Sequence, residues 1–246
     1  MGRSLDSQFT MLIEQLDTHI LPVTRILPLL DLTRLDEQAT ATEIEMLAAK
    51  AQQDSVAAIC VFPRHLDWIP DLTSIHRATV VNFPGGNLAQ DQVLQDIERA
   101  ITDHKADEID YVFAYPQYLS GQAPRALAWC AEAYQLCQDY GVFFKVILET
   151  GALNSLELIH KLSCAVIESG CHMLKTSTGK INMGASLPAA FAILTAIQDC
   201  QSQCGIKVSG GVKTLAQASS YVHLAEQVCN QAVDKTWFRI GASQIG

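Results

Sequence analysis

The sequence has little of what marks an exported, metal-bound or membrane-inserted chain. None of its eight cysteines (Cys60, Cys130, Cys137, Cys164, Cys171, Cys200, Cys204 and Cys229) falls in a C-x-x-C pair, and no H-E-x-x-H occurs. With no export signal beside them they read as reduced, mostly buried thiols, and neither a metal nor a cofactor is expected. Residues Met1–Asp17 carry Arg3, Asp6, Glu14 and Asp17, which breaks up any signal-peptide core. Apolar runs such as Ala57–Phe62 fall far short of the ~20 residues that cross a bilayer. Positive charge is also scarce: 17 Lys and Arg against 26 Asp and Glu give a net charge of -9. That balance repels a polyphosphate backbone, so no nucleic-acid partner is expected, although a local basic pocket for one small anion is compatible with it. No repeat, low-complexity tract or Pro/Gly/Ser linker divides the chain. A soluble, cytoplasmic protein with one domain over residues 1–246 is expected.

What the sequence does have is a core-forming composition and a rhythm. Of 246 residues, 49% are hydrophobic, which rules out disorder as the main state and suits a single barrel of about 250 residues. Short, near-continuously apolar runs recur at Ile26–Leu30, Ala57–Phe62, Ala78–Phe83, Glu108–Phe113, Phe143–Glu149, Met173–Thr176, Ile206–Ser209 and Phe238–Gly241. Such runs are the pattern of parallel strands buried on both faces. Amphipathic helical stretches lie between them, at Thr40–Gln52, Gln90–His104, Ala123–Tyr140, Ser155–Ser169, Pro188–Cys200 and Thr214–Ala232. Eight strands alternating with helices predict an α/β fold, a (β/α)8 TIM barrel, with an open doubly wound sheet as the alternative. Leu5–Ile20 predicts an extra N-terminal helix.

A buried parallel strand should avoid charge, so the charged exceptions are informative. Asp31 follows the first strand run, Asp110 interrupts the fourth, and Lys145 and Glu149 belong to the fifth. Lys175 lies in the sixth and Lys207 in the seventh. Interior ion pairs that fix strand register would explain them. So would an amine nucleophile with a cationic neighbour. A free lysine near pKa ~10.4 is almost wholly protonated at neutral pH; burial and a second ammonium can lower it to ~7–8 and free the amine to attack a carbonyl. A second constellation is glycine-rich: Thr176–Lys180 after the sixth strand, Ser209–Gly211 after the seventh and Gly241–Ser243 after the eighth. Loops after strands seven and eight commonly bind phosphate through backbone N–H groups, whereas for any one glycine pair a structural turn is the more frequent cause.

Taken together these segments resemble the deoxyribose-phosphate aldolase family. The resemblance is carried by Asp107–Asp110, Phe144–Gly151, Leu174–Lys180 and Lys207–Val212, with Asp31–Thr33, Ala57–Val61 and Val81–Pro84 agreeing in order. It implies a (β/α)8 barrel and a class I, metal-free aldolase that reversibly cleaves 2-deoxyribose 5-phosphate to glyceraldehyde 3-phosphate and acetaldehyde. By matching motif, Lys175 becomes the Schiff-base lysine and Lys207 the neighbour that depresses its pKa. Asp110 becomes the acid/base partner acting with Lys207 through a water. Gly179, Lys180, Gly210, Gly211 and Ser243 fall where the family meets the phosphate, and Asp31 and Cys60 on the pocket wall. The expected partners are a small sugar phosphate and an aldehyde, with a homodimer as an option. A different acceptor aldehyde, or an impaired sugar-phosphate-binding barrel, remain as alternative functions.

The sequence departs from the family where Gln244 follows Ser243, where His172 precedes the sixth strand, and at its end. Five residues follow Gly241, too few for the eighth helix and mobile tail usual in the family. A truncated C-terminal end is therefore expected, with the apolar face of strands eight and one covered by Leu5–Ile20 or by a second subunit.

Overall fold

The computed structural model of the chain describes residues 3–246; Met1 and Gly2, part of the expected 1–246 domain, lie outside the described residues. Eight parallel strands close on themselves in sequence order, β1 against β8, so the closed barrel is found and the open sheet is not. In chain order the elements are helix α1 (Leu5–Ile13), helix α2 (Val23–Ile26), β1 (Leu30–Arg34), α3 (Ala41–Asp54), β2 (Ala58–Val61), β3 (His76–Val81), α4 (Gln90–Thr102) and β4 (Glu108–Val112). There follow α5 (Tyr115–Leu119), α6 (Ala123–Asp139), β5 (Phe143–Ile147), α7 (Leu156–Ser169), β6 (Met173–Lys175), α8 (Leu187–Asp199), β7 (Gly205–Ser209), α9 (Leu215–Cys229) and β8 (Phe238–Ala242). No helix among the described residues is long and apolar enough to cross a membrane.

Side-chain caps start four of the helices where the chain turns off the barrel. Thr40 with Glu43, and Thr214 with Gln217, form capping boxes at α3 and α9; Ser155 and Ser186 cap α7 and α8 with their hydroxyls. Each removes an unpaired N–H donor from the first turn. The connection from β2 to β3 carries a 3-10 turn, Pro63–Trp68, in place of a full helix.

The first strand is the element most displaced from its expected place. The sequence reading has it at Ile26–Leu30, whereas the strand begins at Leu30. Pro28 lacks the N–H a strand ladder needs and fixes φ near the helical value, so Leu27–Leu29 form a 3-10 turn that continues α2. Asp31 consequently lies inside β1 rather than after it.

No helix follows β8 among the described residues, yet Phe238 and Ile240 of β8 and Leu30 and Leu32 of β1 are all buried. Leu5–Ile20 is not their cover. Helix α1 lies against α7 and α8, with the Phe9 and Phe191 rings 5.6 Å apart. The turns Val23–Leu29 take the position instead, packing against α9 and β8 and burying Ile26 and Leu29. This segment is tied down: Leu21 N–H donates to Ser219 Oγ at 2.9 Å, His223 Nε2 donates to His19 O at 2.8 Å, and Arg25 pairs with Glu226 at 2.8 Å. The face closes without a second subunit. Beyond β8, Gly246 exchanges backbone hydrogen bonds with Lys213 and Leu215, folding the last residues over the start of α9.

Candidate active site

Strand register decides which charges meet. Lys175 of β6 is the Cα partner of Lys207 on β7, Lys207 is the partner of Arg239 on β8, and Asp110 of β4 is the partner of Lys145 on β5. Side chains alternate along each strand, so one face of this run points into the barrel. There they form a continuous ion-pair network. Asp110 is its hub: Oδ2 accepts from Lys175 Nζ and Lys207 Nζ, each at 2.7 Å, and Oδ1 accepts from Lys145 Nζ at 2.7 Å. Asp31 Oδ2 lies 2.6 Å from Lys207 Nζ and 3.7 Å from Lys145 Nζ, while its Oδ1 accepts from Arg239 at 2.7 Å. Glu108 completes the layer beneath, 2.5 Å from Lys145 and 3.3 Å from Arg239. All seven side chains are buried.

Burial and partners pull these groups in different directions. Lys175 sits below the ordinary lysine range: burial is the larger cause and the Lys207 ammonium adds to it, against the opposing pull of Asp110. Burial acts in the same sense on Lys207 and Lys145, but their carboxylate partners outweigh it and hold both above the usual value. For Asp110 burial favours the neutral acid, yet Lys145, Lys175 and Lys207 together hold its carboxyl well below the carboxylate range. Asp31 is lowered for the same reason by Lys207, Arg239 and Lys145. The network therefore keeps one lysine readier than the rest to lose its proton, and an ionised carboxylate against it.

The carboxyl-terminal mouth is built by loops that touch one another. Thr176 Oγ1 donates to Ser209 O at 3.0 Å and Ser209 Oγ donates to Ser177 O at 2.6 Å, joining the loops after β6 and β7. Glu149, buried after β5, accepts from Thr178 Oγ1 at 2.5 Å and so holds the β6 loop above Lys175. Backbones meet where side chains cannot: a Cβ on Gly184 would come 2.2 Å from Gly210 O, and one on Gly210 would lie 3.3 Å from Gly179 Cα. Gly179, Gly210 and Gly211 all have positive φ, which glycine adopts without strain. Lys180 reaches across the mouth, its Nζ donating to Leu35 O at 3.0 Å. The opposite wall is apolar, with Ala58, Cys60, Ala78 and Val80 under Leu35, Phe62 and Phe83. No cluster of three or more His, Cys, Asp or Glu side chains suited to a metal ion occurs among the described residues.

The model of the DeoC/LacD family aldolases matches residues 25–241. The chain belongs to that family. It is 40% identical to a deoxyribose-phosphate aldolase of Agrobacterium fabrum (strain C58 / ATCC 33970), over 89% of this chain and 86% of the relative. Among solved structures it is similar to a Coccidioides immitis protein provisionally named a deoxyribose-phosphate aldolase, at 25% identity and a TM-score of 0.80, covering 97% of this chain and 92% of the other. Its fold also matches the tetrameric deoxyribose phosphate aldolase of Aeropyrum pernix, at 21% identity and a TM-score of 0.76, over 99% and 94% of the two chains. The resemblance drawn from the motifs is thus borne out.

Within this family member the structure brings Lys175, Lys207, Asp110, Asp31 and Cys60 together, Cys60 Sγ lying 4.0 Å from Asp110 Oδ2. Asp31, expected on the pocket wall, pairs with Lys207, and Asp110 lies in direct contact with Lys207 as well. Gly179, Lys180, Gly210 and Gly211 share the loop cluster, and Ser243 is exposed just past β8. Arg239, Glu108 and Gly184 were missed. Arg239 had a visible signal, a charge inside the apolar run Phe238–Gly241; Gly184 had none until the loops were seen to touch. His172 is occupied in packing: its Nδ1 accepts from Phe144 N–H at 2.8 Å and its ring stacks on Phe143.

Proposed function

We propose that the whole chain, 1–246, is one aldolase domain that reversibly cleaves 2-deoxy-D-ribose 5-phosphate to D-glyceraldehyde 3-phosphate and acetaldehyde through a Schiff base on Lys175. One observation carries the reading: two lysines on adjacent strands share a single carboxylate oxygen at the carboxyl end of a closed barrel, and of the two Lys175 has the fewer anionic partners. The neutral Lys175 amine adds to the C1 carbonyl of the open-chain sugar, and loss of water leaves a protonated imine. A base then takes the proton of the C3 hydroxyl. The C2–C3 bond breaks, its electron pair moves into the imine, and glyceraldehyde 3-phosphate leaves. The remaining enamine takes a proton at C2, and water releases acetaldehyde from Lys175. Asp110, held ionised between the lysines, is the group we assign to these proton transfers. Lys207 stays an ammonium throughout, which keeps Lys175 neutral and offsets charge that develops in the pocket.

The phosphate of this substrate is assigned to Gly179, Lys180, Gly210, Gly211 and Ser243, where backbone donors and the Lys180 ammonium line the rim. Cys60 and the apolar wall face the other end of the sugar. No cofactor enters the scheme. Eight free thiols among the described residues support a reducing, cytoplasmic setting, and the substrate supports a role in deoxyribonucleotide breakdown. A coupled assay for triose phosphate released from 2-deoxyribose 5-phosphate tests the reading. Turnover supports it; an imine with acetaldehyde but no triose phosphate would mean a different acceptor, and neither would mean a barrel that only binds.

A further inference from the structure

Four cations (Lys145, Lys175, Lys207, Arg239) and three carboxylates (Asp31, Glu108, Asp110) make up the buried ion-pair network. Full protonation of the four would leave one uncompensated positive charge in the barrel interior, where an unpaired charge is most costly. One proton is therefore surplus. Lys207 has two carboxylates, Lys145 three and Arg239 two, whereas Lys175 has Asp110 alone and shares it with both other lysines. Glu149 faces Lys175 but lies outside this count: it forms an ion pair with none of the four cations, is hydrogen-bonded to Thr178, and burial pushes its carboxyl above the usual value, toward the neutral acid.

Arg239 is what makes the count uneven. It takes one oxygen from Asp31 and one from Glu108. Lys207 and Lys145 are thereby left to draw on Asp110, and the share of Asp110 that reaches Lys175 shrinks. We propose that Arg239 is a positioning residue for the lysine chemistry: from the amino-terminal side of the barrel it occupies Asp31 and Glu108, and so makes Lys175 the lysine that gives up its proton. Glu108 works in the opposite sense, since it neutralises Lys145 and Arg239 and spares Asp110 for Lys175. This inference rests on the reading of Lys175 as the amine nucleophile.

The groups facing Lys175 are Asp110 from β4, Lys207 from β7, Cys60 from β2 and Glu149 from the turn after β5. Those facing Arg239 are Asp31 from β1 and Glu108 from β4; His76 stands 3.9 Å behind Glu108, and Lys105, His172 and Lys235 line the same cleft. None of the cleft residues replaces the Arg239 guanidinium between the two carboxylates.

The test is the pH dependence of imine formation with acetaldehyde, trapped by cyanoborohydride and located by peptide mass mapping on the full chain. Arg239→Met should move the midpoint for Lys175 upward by about one pH unit, a roughly tenfold loss of free amine below it. Arg239→Lys, which keeps the charge, should restore most of that shift. Glu108→Gln is nearly isosteric, leaves Arg239 in place and should move the midpoint the other way; it decides the question alone if Arg239→Met does not fold. A merely structural role would lower the amount trapped without moving either midpoint in opposite directions. Unchanged midpoints in Glu108→Gln and Arg239→Met, or a Glu108→Gln midpoint that rises, would overturn the proposal. Absence of any adduct on wild-type Lys175 would instead overturn the Schiff-base reading on which it rests.

Discussion

Lys175 and Lys207 are bound to the same atom: each Nζ lies 2.7 Å from Oδ2 of Asp110. What separates them is the second carboxylate. Asp31 stands 2.6 Å from Lys207 and does not pair with Lys175. Two chemically identical side chains, in register on neighbouring strands, thus acquire different proton affinities from one unshared neighbour.

Removing the shared carboxylate should cost both chemistry and stability. Asp110→Asn leaves three buried lysines without their common partner. Turnover should fall by about 10²–10⁴-fold, and stability by about 3–5 kcal/mol, as expected when one member of a buried ionic cluster is deleted. Steady-state kinetics and thermal unfolding check this; a variant that keeps near-full turnover would remove Asp110 from the mechanism.

Replacing Lys207 by Leu keeps bulk and removes the cation. Burial and Lys207 both lower Lys175, so the acidic limb of the pH–rate profile should move to higher pH and activity at neutral pH should fall steeply. A Lys207→Leu profile that superimposes on the wild type would assign the whole effect to burial.

Acid should unfold the barrel through the same network. The folded carboxyls of Asp31 and Asp110 lie below their unfolded values, so their stabilising contribution is complete above ~3.9 and is lost as pH falls toward the folded values. The melting temperature of the wild type should drop sharply below about pH 4. Asp31→Asn should begin from a lower melting temperature and show a shallower acid slope, measured by thermal scans across pH.

The cover over β8 and β1 gives a packing prediction. Ile26→Ala should cost about 2–5 kcal/mol, the range for truncating a fully buried aliphatic side chain, without changing the oligomeric state. Denaturant unfolding and light scattering measure the two. A neutral Ile26→Ala would show that this turn covers nothing that matters.

Loop contact at the mouth makes Gly184 sensitive. A methyl there meets Gly210 O, so Gly184→Ala must push the two loops apart. KM for the phosphorylated sugar should rise roughly tenfold, the equivalent of ~1.4 kcal/mol, with imine formation from acetaldehyde unaffected. Equal losses for both would place the damage in the lysine network rather than at the phosphate.

How much of this was legible before the structure depended on whether the signal was local. Charges inside apolar runs are local, so Asp110, Lys175 and Lys207 stood out, and the strand rhythm led to the barrel. Asp31 was seen but misplaced, because Pro28 ends a helical turn where the apolar run looks like a strand. Its pairing with Lys207 depends on barrel closure, which brings β1 beside β8 and across from β7. Arg239 and Glu108 were in plain view, but their roles depend on which oxygen each lysine reaches, and register sets that. The approach of Gly184 to Gly210 joins two loops 26 positions apart by number (184 and 210), and nothing in either loop announces the other. Leu5–Ile20 or a second subunit are the covers the sequence offers for β8 and β1, because Val23–Leu29 has too few turns to display a period.

In the proposed scheme Lys175, and not Lys207, is the amine that reacts. Borohydride trapping of the wild-type protein with acetaldehyde at neutral pH, followed by peptide mass mapping, distinguishes the two lysines. A single adduct on Lys175 is expected, with Lys207 unmodified. An adduct on Lys207 with Lys175 unmodified would overturn the assignment.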